Sequence, residues 1–286
     1  MTTYSFSQVD VFGAAPLLGN PVAVVHDALG LDDEQLAAFA RWTNLSETTF
    51  LLPPTEEGSG GGADYRLRIF TPGGELPFAG HPTLGSAHAW LEAGGRPGSP
   101  GRLVQECGIG LVELRAEQDT WAFRAPGFLR SGPVGDEDLA GVVRALRLAP
   151  EQVQAAEWID NGPGWLGLVL DSADTVLSLR PDFGELGINT GVLGAHDLSE
   201  ADRLGVGYEV RAFCPRQTIT EDPVTGSLNA GFAVWLTGTG ALPSSYVARQ
   251  GTALGRDGRV RVSTDEVGEV WVGGTCITVV RGSVAP

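Results

Sequence analysis

Short apolar or alternating segments, separated by glycine, proline and acidic residues, recur along the 286-residue chain. Segments such as 21–26, 65–70 and 165–170 are rich in β-branched, aromatic and leucine residues, which predicts β-strands. Residues 32–41 and 136–148 have a helical pattern and begin with acidic side chains, which suit a helix N-terminus. Strands dominate without regular strand–helix alternation, so we expect an α+β fold with mainly antiparallel or mixed sheet.

One unusual phrase, Pro-x-x-Gly-Ser followed by an apolar run, occurs twice. Its copies are GHPTLGSAHAWL at 80–91 and EDPVTGSLNAGFAVWL at 221–236. A second pair, RIFTP at 68–72 and RAFCP at 211–215, precedes them. Matching residues lie 141 to 143 positions apart, about half the chain, which predicts two similar domains rather than a solenoid of short repeats.

Each copy predicts a helix that begins at its proline, Pro82 or Pro223, because proline at the first helical position loses no hydrogen bond. His81 and Asp222 then occupy the N-cap positions. Both predicted helices are uncharged for about ten residues, and a helix that is apolar on nearly all sides is buried. We therefore expect each domain to wrap its sheet around a central helix.

The domain boundaries follow from the repeat and from the strands predicted near the C-terminus. The expected first domain contains residues 1–124 and 272–286, and the second contains residues 125–271. The expected fold is thus α+β, with two pseudo-symmetric domains. Each has a mainly antiparallel or mixed, β-barrel-like sheet around a central buried helix.

Charge and composition restrict the function classes. A net charge of −16 disfavours binding to nucleic acid or to an anionic membrane surface. The 3 cysteines include no Cys-x-x-Cys and the 4 histidines are scattered, so no metal site is predicted. The start of the chain lacks the pattern of a signal peptide, and no segment has 18 consecutive apolar residues. A cytoplasmic protein is expected.

Candidate chemistry lies at the two predicted helix starts and at Glu47. Helix N-termini carry unpaired N–H groups and bind carboxylates or phosphates, and Ser86 and Ser227 could add hydroxyl donors. Asp222 taken alone is more typical of a helix cap, but histidine is a poor cap, so the pair of His81 and Asp222 favours a functional role. Glu47 stands between a predicted helix and an apolar strand, where partial burial would raise a carboxyl pKa toward acid–base use. The alternative is an exposed turn residue.

Four motifs together resemble the phenazine-biosynthesis isomerase (PhzF-like) family, whose fold is that of diaminopimelate epimerase. They are GNPVAVV (19–25), NLSETTF (44–50), FAGHPTLGSAH (78–88) and EDPVTGSLNAG (221–231). They occur in the family's order and span most of the chain. The resemblance implies two pseudo-symmetric domains with the active site between them, no cofactor and a homodimer.

The resemblance also implies site residues and a substrate class. The substrate would be a small carboxylic acid, and Glu47 would shuttle a proton between its carbons. The implied catalytic residues are Glu47, His81 and Asp222, and the implied substrate-binding residues are Ser46, Gly80, Gly226 and Ser227. We therefore predict a cofactor-independent isomerase or epimerase. Side chains that select the substrate are expected on loops without a signature, such as those at Asn161-Gly162 and Asn189.

Three other functions compete with this prediction. Racemisation by two thiols is disfavoured because Cys107, Cys214 and Cys276 are predicted to lie in strands rather than at helix starts. A serine hydrolase built on Ser227 is disfavoured because the sequence has no Gly-x-Ser-x-Gly elbow there. The third is a non-catalytic protein that uses the same interdomain cleft to bind a small molecule or a protein partner.

Overall fold

The computed structural model describes residues 2–118, 120–215 and 219–286, and has a mixed α/β fold. The helices are α1 (Asp33–Thr43), α2 (Glu56–Gly60), α3 (Gly80–Glu92), α4 (Asp136–Ala145), α5 (Ala173–Ser178), α6 (Leu198–Leu204) and α7 (Gly226–Gly238). The strands are β1 (Tyr4–Val11), β2 (Asn20–Val25), β3 (Glu47–Leu52), β4 (Tyr65–Thr71), β5 (Gly74–Leu76), β6 (Arg102–Cys107), β7 (Gly110–Glu117), β8 (Thr120–Arg124), β9 (Arg130–Pro133), β10 (Val153–Asp160), β11 (Leu166–Leu170), β12 (Thr190–Ala195), β13 (Tyr208–Phe213), β14 (Glu221–Asp222), β15 (Ser245–Gln250), β16 (Gly258–Thr264), β17 (Val270–Gly274) and β18 (Cys276–Val284). No helix among these residues is long and apolar enough to span a membrane.

The chain forms two compact units. The first contains Met1–Arg124 together with Gly273–Pro286, and the second contains Ala125–Val272. In the first unit, strand neighbours follow the order β18, β1, β2, β3, β4, β6, β7, β8. The β2–β3 and β4–β6 pairs are parallel and the others antiparallel. Parallel neighbours need crossover connections, and α1 and α3 lie in these two crossovers.

The second unit has the strand order β9, β10, β11, β12, β13, β15, β16. Its β11–β12 and β13–β15 pairs are parallel, and the others are antiparallel. Helices α5 and α7 lie in the two parallel crossovers. The second unit therefore has the same sequence of antiparallel and parallel pairings as the first, through β16.

The two long apolar helices are buried, each within its own unit. Helix α3 packs on β1, β2 and β3, and α7 packs on β10 and β16. A Cβ atom at Gly85 in α3 would lie 2.4 Å from Val22 Cγ1. A Cβ at Gly231 in α7 would lie 2.8 Å from the Ile159 carbonyl oxygen. Both glycines thus permit close approach of helix and strand.

The predicted start of α3 at Pro82, with His81 as N-cap, is wrong. Ala79 is the N-cap, Gly80 is the first helical residue and His81 the second. Pro82 is the third residue of α3, where its missing N–H would have had no intrahelical partner. The proline therefore does not determine where the helix begins, and His81 belongs to the first turn.

The predicted start of α7 at Pro223, with Asp222 as N-cap, is also wrong. Asp222 lies in β14 and pairs with Ala212 of β13. Thr225 is the N-cap, and the helix begins at Gly226. Because Asp222 is held in a strand ladder, the chain enters the helix three residues later than the proline rule suggests. The two copies of the phrase thus differ in local structure.

The other repeated phrase forms a matching ion pair in each unit. Arg68 donates from Nε and Nη2 to the two carboxylate oxygens of Glu75 at 2.7 and 2.6 Å. Arg211 donates in the same way to Glu221, at 2.8 Å for both bonds. Bidentate geometry of this kind fixes a guanidinium in one orientation. The repeated arginines therefore connect β4 to β5 and β13 to β14.

Candidate functional site

Glu47 begins β3, immediately after the turn that ends α1. Asn44 terminates that helix in the left-handed conformation, with φ of 53°, a common way to redirect a chain at a helix end. Ser46 lies in the same turn, next to Glu47. The Glu47 side chain is only 15% exposed. The carboxyl group is thus held at the end of a buried strand and not in an exposed turn.

His81 lies beside Glu47, although the two residues are far apart in the sequence. His81 Nε2 is 3.4 Å from Glu47 Oε2. On the other side of the ring, Asn20 Nδ2 is 3.5 Å from His81 Nδ1. Gly80 is adjacent to His81 in the first turn of α3. The first unit therefore brings together Glu47, His81 and Gly80, together with Asn20.

The His81 imidazole is neutral at pH 7. Burial lowers its pKa from 6.5 to about 3, and a hydrogen bond to the Pro21 backbone opposes this only in part. His81 is 3% exposed, so the free-energy cost of burying a protonated ring exceeds the stabilisation that its hydrogen-bond partners provide. The contact with Glu47 is consequently one between a carboxyl group and a neutral ring. A neutral ring can hydrogen-bond a carboxyl group or a ligand without altering the net charge of the site.

Asp222 lies just before α7 in the second unit. Its Oδ2 atom accepts a hydrogen bond from the Thr225 hydroxyl at 2.5 Å. Gly226 and Ser227 are the first two residues of the helix, where backbone N–H groups lack intrahelical acceptors. The second unit therefore places Asp222 close to the N-terminus of a 13-residue helix. The N-terminus of a helix attracts carboxylates.

The two serines of the repeated phrase point to different partners. Ser227 Oγ accepts a hydrogen bond from Trp165 Nε1 at 3.1 Å, and its carbonyl oxygen accepts one from Asn161 Nδ2 at 2.8 Å. Ser86 is fully buried and donates to Thr49 Oγ1 at 2.9 Å. Ser86 thus faces the interior of its unit, whereas Ser227 joins the start of α7 to the loop after β10.

Sequence reasoning missed three residues that the structure places beside candidate groups. Asn20 contacts His81, and Thr225 contacts Asp222. Gln250 connects to both Asp222 and Thr225 through its amide. Asn20 and Thr225 stand inside motifs already singled out, so only their contacts were unforeseen. Gln250 stands in β15 with no local signal. Among residues 2–118, 120–215 and 219–286, no cluster of three or more potential metal ligands occurs.

Comparison with known proteins identifies relatives along the whole chain. The phenazine biosynthesis-like protein family matches residues 9–282. Antisense-enhancing sequence 1 of Schizosaccharomyces pombe is 38% identical, covering 99% of each chain. The trans-2,3-dihydro-3-hydroxyanthranilate isomerase of Pseudomonas fluorescens is 31% identical, covering 98% of this chain and 99% of that enzyme.

Solved structures agree with the sequence relatives. A crystal structure of an Enterococcus faecalis phenazine biosynthesis protein of the PhzF family superposes with a TM-score of 0.78, at 25% identity and with full coverage of both chains. Family match and structural similarity thus extend over the same residues that carry the candidate groups. The chain therefore belongs to the phenazine biosynthesis-like protein family and is an isomerase of that family.

Proposed function

We propose that the protein is a cofactor-independent isomerase that moves a proton between carbons of a small carboxylic acid, with Glu47 as the acid–base. The observation that carries this proposal is the contact between Glu47 and His81, at 3.4 Å and mostly shielded from water. Carbon acids need a base close to the substrate and a group that holds the developing negative charge. Glu47 supplies the base, and the neutral His81 ring supports its position.

The second part of the proposal concerns the substrate carboxylate. We assign its binding to backbone N–H groups and side chains at Ser46, Gly80, Gly226 and Ser227. Gly80 and Gly226 are each the first residue of a 13-residue buried helix, and helix N-termini favour anions. Asp222 orients this region through Thr225. If negative charge develops on the substrate carboxylate as the proton leaves carbon, each donor aimed at it would contribute about 3–4 kcal/mol to transition-state stability.

The competing functions receive less support. Ser227 lies within α7, not at a sharp strand-to-helix elbow, and its hydroxyl accepts from Trp165. Burial raises the thiol pKa of Cys107 and of Cys276, which disfavours the thiolates that a two-thiol racemase needs. Cys107 ends β6 and Cys276 begins β18, whereas Cys214 lies one residue beyond β13. A single carboxylate base fits these residues better.

The test compares wild type with Glu47→Gln, which keeps the side-chain shape and removes the base. The first substrate to use is trans-2,3-dihydro-3-hydroxyanthranilate, on which the Pseudomonas relative acts by name; a panel of small unsaturated carboxylic acids follows. Turnover in deuterium oxide and NMR of the product report carbon-bound exchange. We expect Glu47→Gln to lose at least about 10²–10⁴-fold in rate while still binding the acid.

The matched control is Glu34→Gln, an exposed carboxylate in the first turn of α1, which should keep the wild-type rate. Exchange by Glu47→Gln at nearly the wild-type rate would overturn the assignment of the base, and the role would pass to Asp222. Wild-type protein that binds the acids but exchanges no carbon-bound proton in any of them would favour the non-catalytic binding protein.

We also propose that the two units are pseudo-symmetric domains derived from a duplication. The shared pairing order and the matching Arg68–Glu75 and Arg211–Glu221 pairs support this proposal. So does the placement of one buried crossover helix, α3 or α7, in each unit. The homodimer and the cytoplasmic location stay predictions that rest on the family resemblance and the sequence.

A further inference from the structure

Three side chains and two backbone groups form a hydrogen-bond network at the start of α7, entirely within the second unit. Gln250 lies at its centre and is fully buried. Its Oε1 atom accepts from the Thr225 backbone N–H at 3.0 Å and from Asn229 Nδ2 at 2.9 Å. Its Nε2 atom donates to the Asp222 carbonyl at 3.1 Å and to Thr225 Oγ1 at 2.9 Å.

The orientation of the Gln250 amide is determined by its backbone partners. A backbone N–H can only donate, so the amide atom facing Thr225 N must be the oxygen. A backbone carbonyl can only accept, so the atom facing the Asp222 carbonyl must be the nitrogen. Rotating the amide by half a turn would break both bonds and leave buried donors and acceptors unsatisfied.

This orientation decides the direction of the Thr225 hydroxyl. Thr225 Oγ1 accepts a hydrogen bond from Gln250 Nε2, and the Thr225 hydroxyl donates to Asp222 Oδ2 at an oxygen–oxygen distance of 2.5 Å. Such a distance is typical of a hydroxyl donating to an ionised carboxylate. If Asp222 were protonated and donated to Thr225 instead, the Thr225 proton would have no acceptor among the described residues.

We infer that Gln250 is a positioning residue that acts through Thr225 to hold the Asp222 side chain as an ionised hydrogen-bond acceptor. The inference deepens the proposed function, because Asp222 matters for catalysis only if that proposal holds; the hydrogen-bond relay itself stands on geometry alone. It assigns Asp222 an orienting and electrostatic role toward the substrate, and leaves proton transfer to Glu47.

Two charged residues next to this network, one in β14 and one in β15, are paired with other side chains. Glu221, next to Asp222 in β14, binds Arg211 of β13 through two bonds of 2.8 Å. Arg249, next to Gln250 in β15, donates to Asp257 at 2.6 Å. The acceptor of the Thr225 hydroxyl is therefore Asp222 Oδ2, and not the neighbouring Glu221 carboxylate.

The test measures the titration of Asp222 itself by ¹³C NMR of the carboxyl carbons, with the resonance assigned from the spectrum of Asp222→Asn. Thr225→Val removes the hydroxyl and keeps the shape of the side chain. Losing one hydrogen bond to a carboxylate should raise the Asp222 pKa by about one unit. Thr225→Ser retains the hydroxyl and should restore the wild-type titration. Gln250→Met leaves the hydroxyl undirected and should give an intermediate shift.

An Asp222 carboxyl that titrates at the wild-type pH in both Thr225→Val and Gln250→Met would overturn the relay. The pH dependence of turnover, measured on the same variants, separates the relay from the proposed function. If the NMR titration moves as expected but the acid limb of the kcat/KM profile does not follow it, the relay is supported and the catalytic role of Asp222 fails. Gln250→Met leaves Thr225 in place and keeps the test decisive if Thr225→Val fails to fold.

Discussion

The neutral, buried His81 makes the stability of the protein depend on pH, and His81→Gln should reduce that dependence. Burial lowers the folded-state pKa of His81 from 6.5 to about 3, whereas the unfolded chain should titrate near 6.5. Between these values the unfolded state holds a proton that the folded state does not. Acidification from pH 6.5 towards 3 therefore favours unfolding. This destabilisation by His81 is absent at pH values well above 6.5, where the ring is neutral in both states.

The magnitude follows from the width of that window. Each pH unit inside it corresponds to about 1.4 kcal/mol, so lowering the pH from 7 to 4.5 should cost the folded state about 2–3 kcal/mol through His81 alone. A domain has only about 5–15 kcal/mol of stability, so the effect is measurable. The hydrogen bond to the Pro21 backbone opposes the shift, but burial of His81, which is 3% exposed, is the larger effect.

Urea unfolding of wild type and His81→Gln at pH 7.0, 5.5 and 4.5 would measure the difference. The variant has no titrating ring, so its free energy of unfolding should fall by about 2–3 kcal/mol less over this range. His88→Gln is the matched control: His88 is also lowered in pKa by burial, but Glu92 opposes the shift, and a smaller change is expected. A wild-type His81 resonance that titrates near pH 6.5 by NMR, or parallel pH profiles, would refute the reasoning.

Two further predictions follow from packing and from thiol burial. Gly85→Ala would place a Cβ 2.4 Å from Val22 Cγ1, so urea unfolding should show a loss of about 1–3 kcal/mol in stability. Gly141→Ala is the control: it lies in α4 with no atom within 4 Å of the new Cβ, and it should stabilise the fold by up to about 1 kcal/mol. Equal effects of the two substitutions would contradict the packing argument. Because burial raises the pKa of Cys107 and Cys276, both thiols should resist iodoacetamide at pH 8 in the folded protein and react after unfolding. Mass spectrometry that finds either cysteine of the folded protein alkylated within minutes would contradict this prediction.

Local features of this protein could be predicted from the sequence because neighbouring residues encode them. Asp32 and Gln35 form a capping box at the start of α1, and the acidic start of that segment indicated a helix. Uncharged runs predicted that α3 and α7 are buried, and both are. Each of these depends on the periodicity and polarity of a short segment.

The starts of α3 and α7 required the tertiary structure, although their motifs match. Pro82 lies inside its helix, whereas Pro223 precedes the helix by three residues. The difference arises because Asp222 is paired with β13 and because Gln250 binds the Thr225 N–H. These partners are remote in sequence, whereas the preference of proline for the first helical position depends only on adjacent residues.

In the candidate site, too, the sequence predicts some features and the tertiary structure decides the others. The sequence by itself determined which residue types were candidates: a carboxylate before a buried strand, a histidine and an aspartate before repeated Pro-x-x-Gly-Ser phrases. Only the tertiary structure decided that His81 contacts Glu47 and Asn20, and that Gln250 directs Thr225 toward Asp222. Such contacts depend on strand order and register, which hydrogen bonds between distant segments establish, and burial by those same segments keeps His81 neutral.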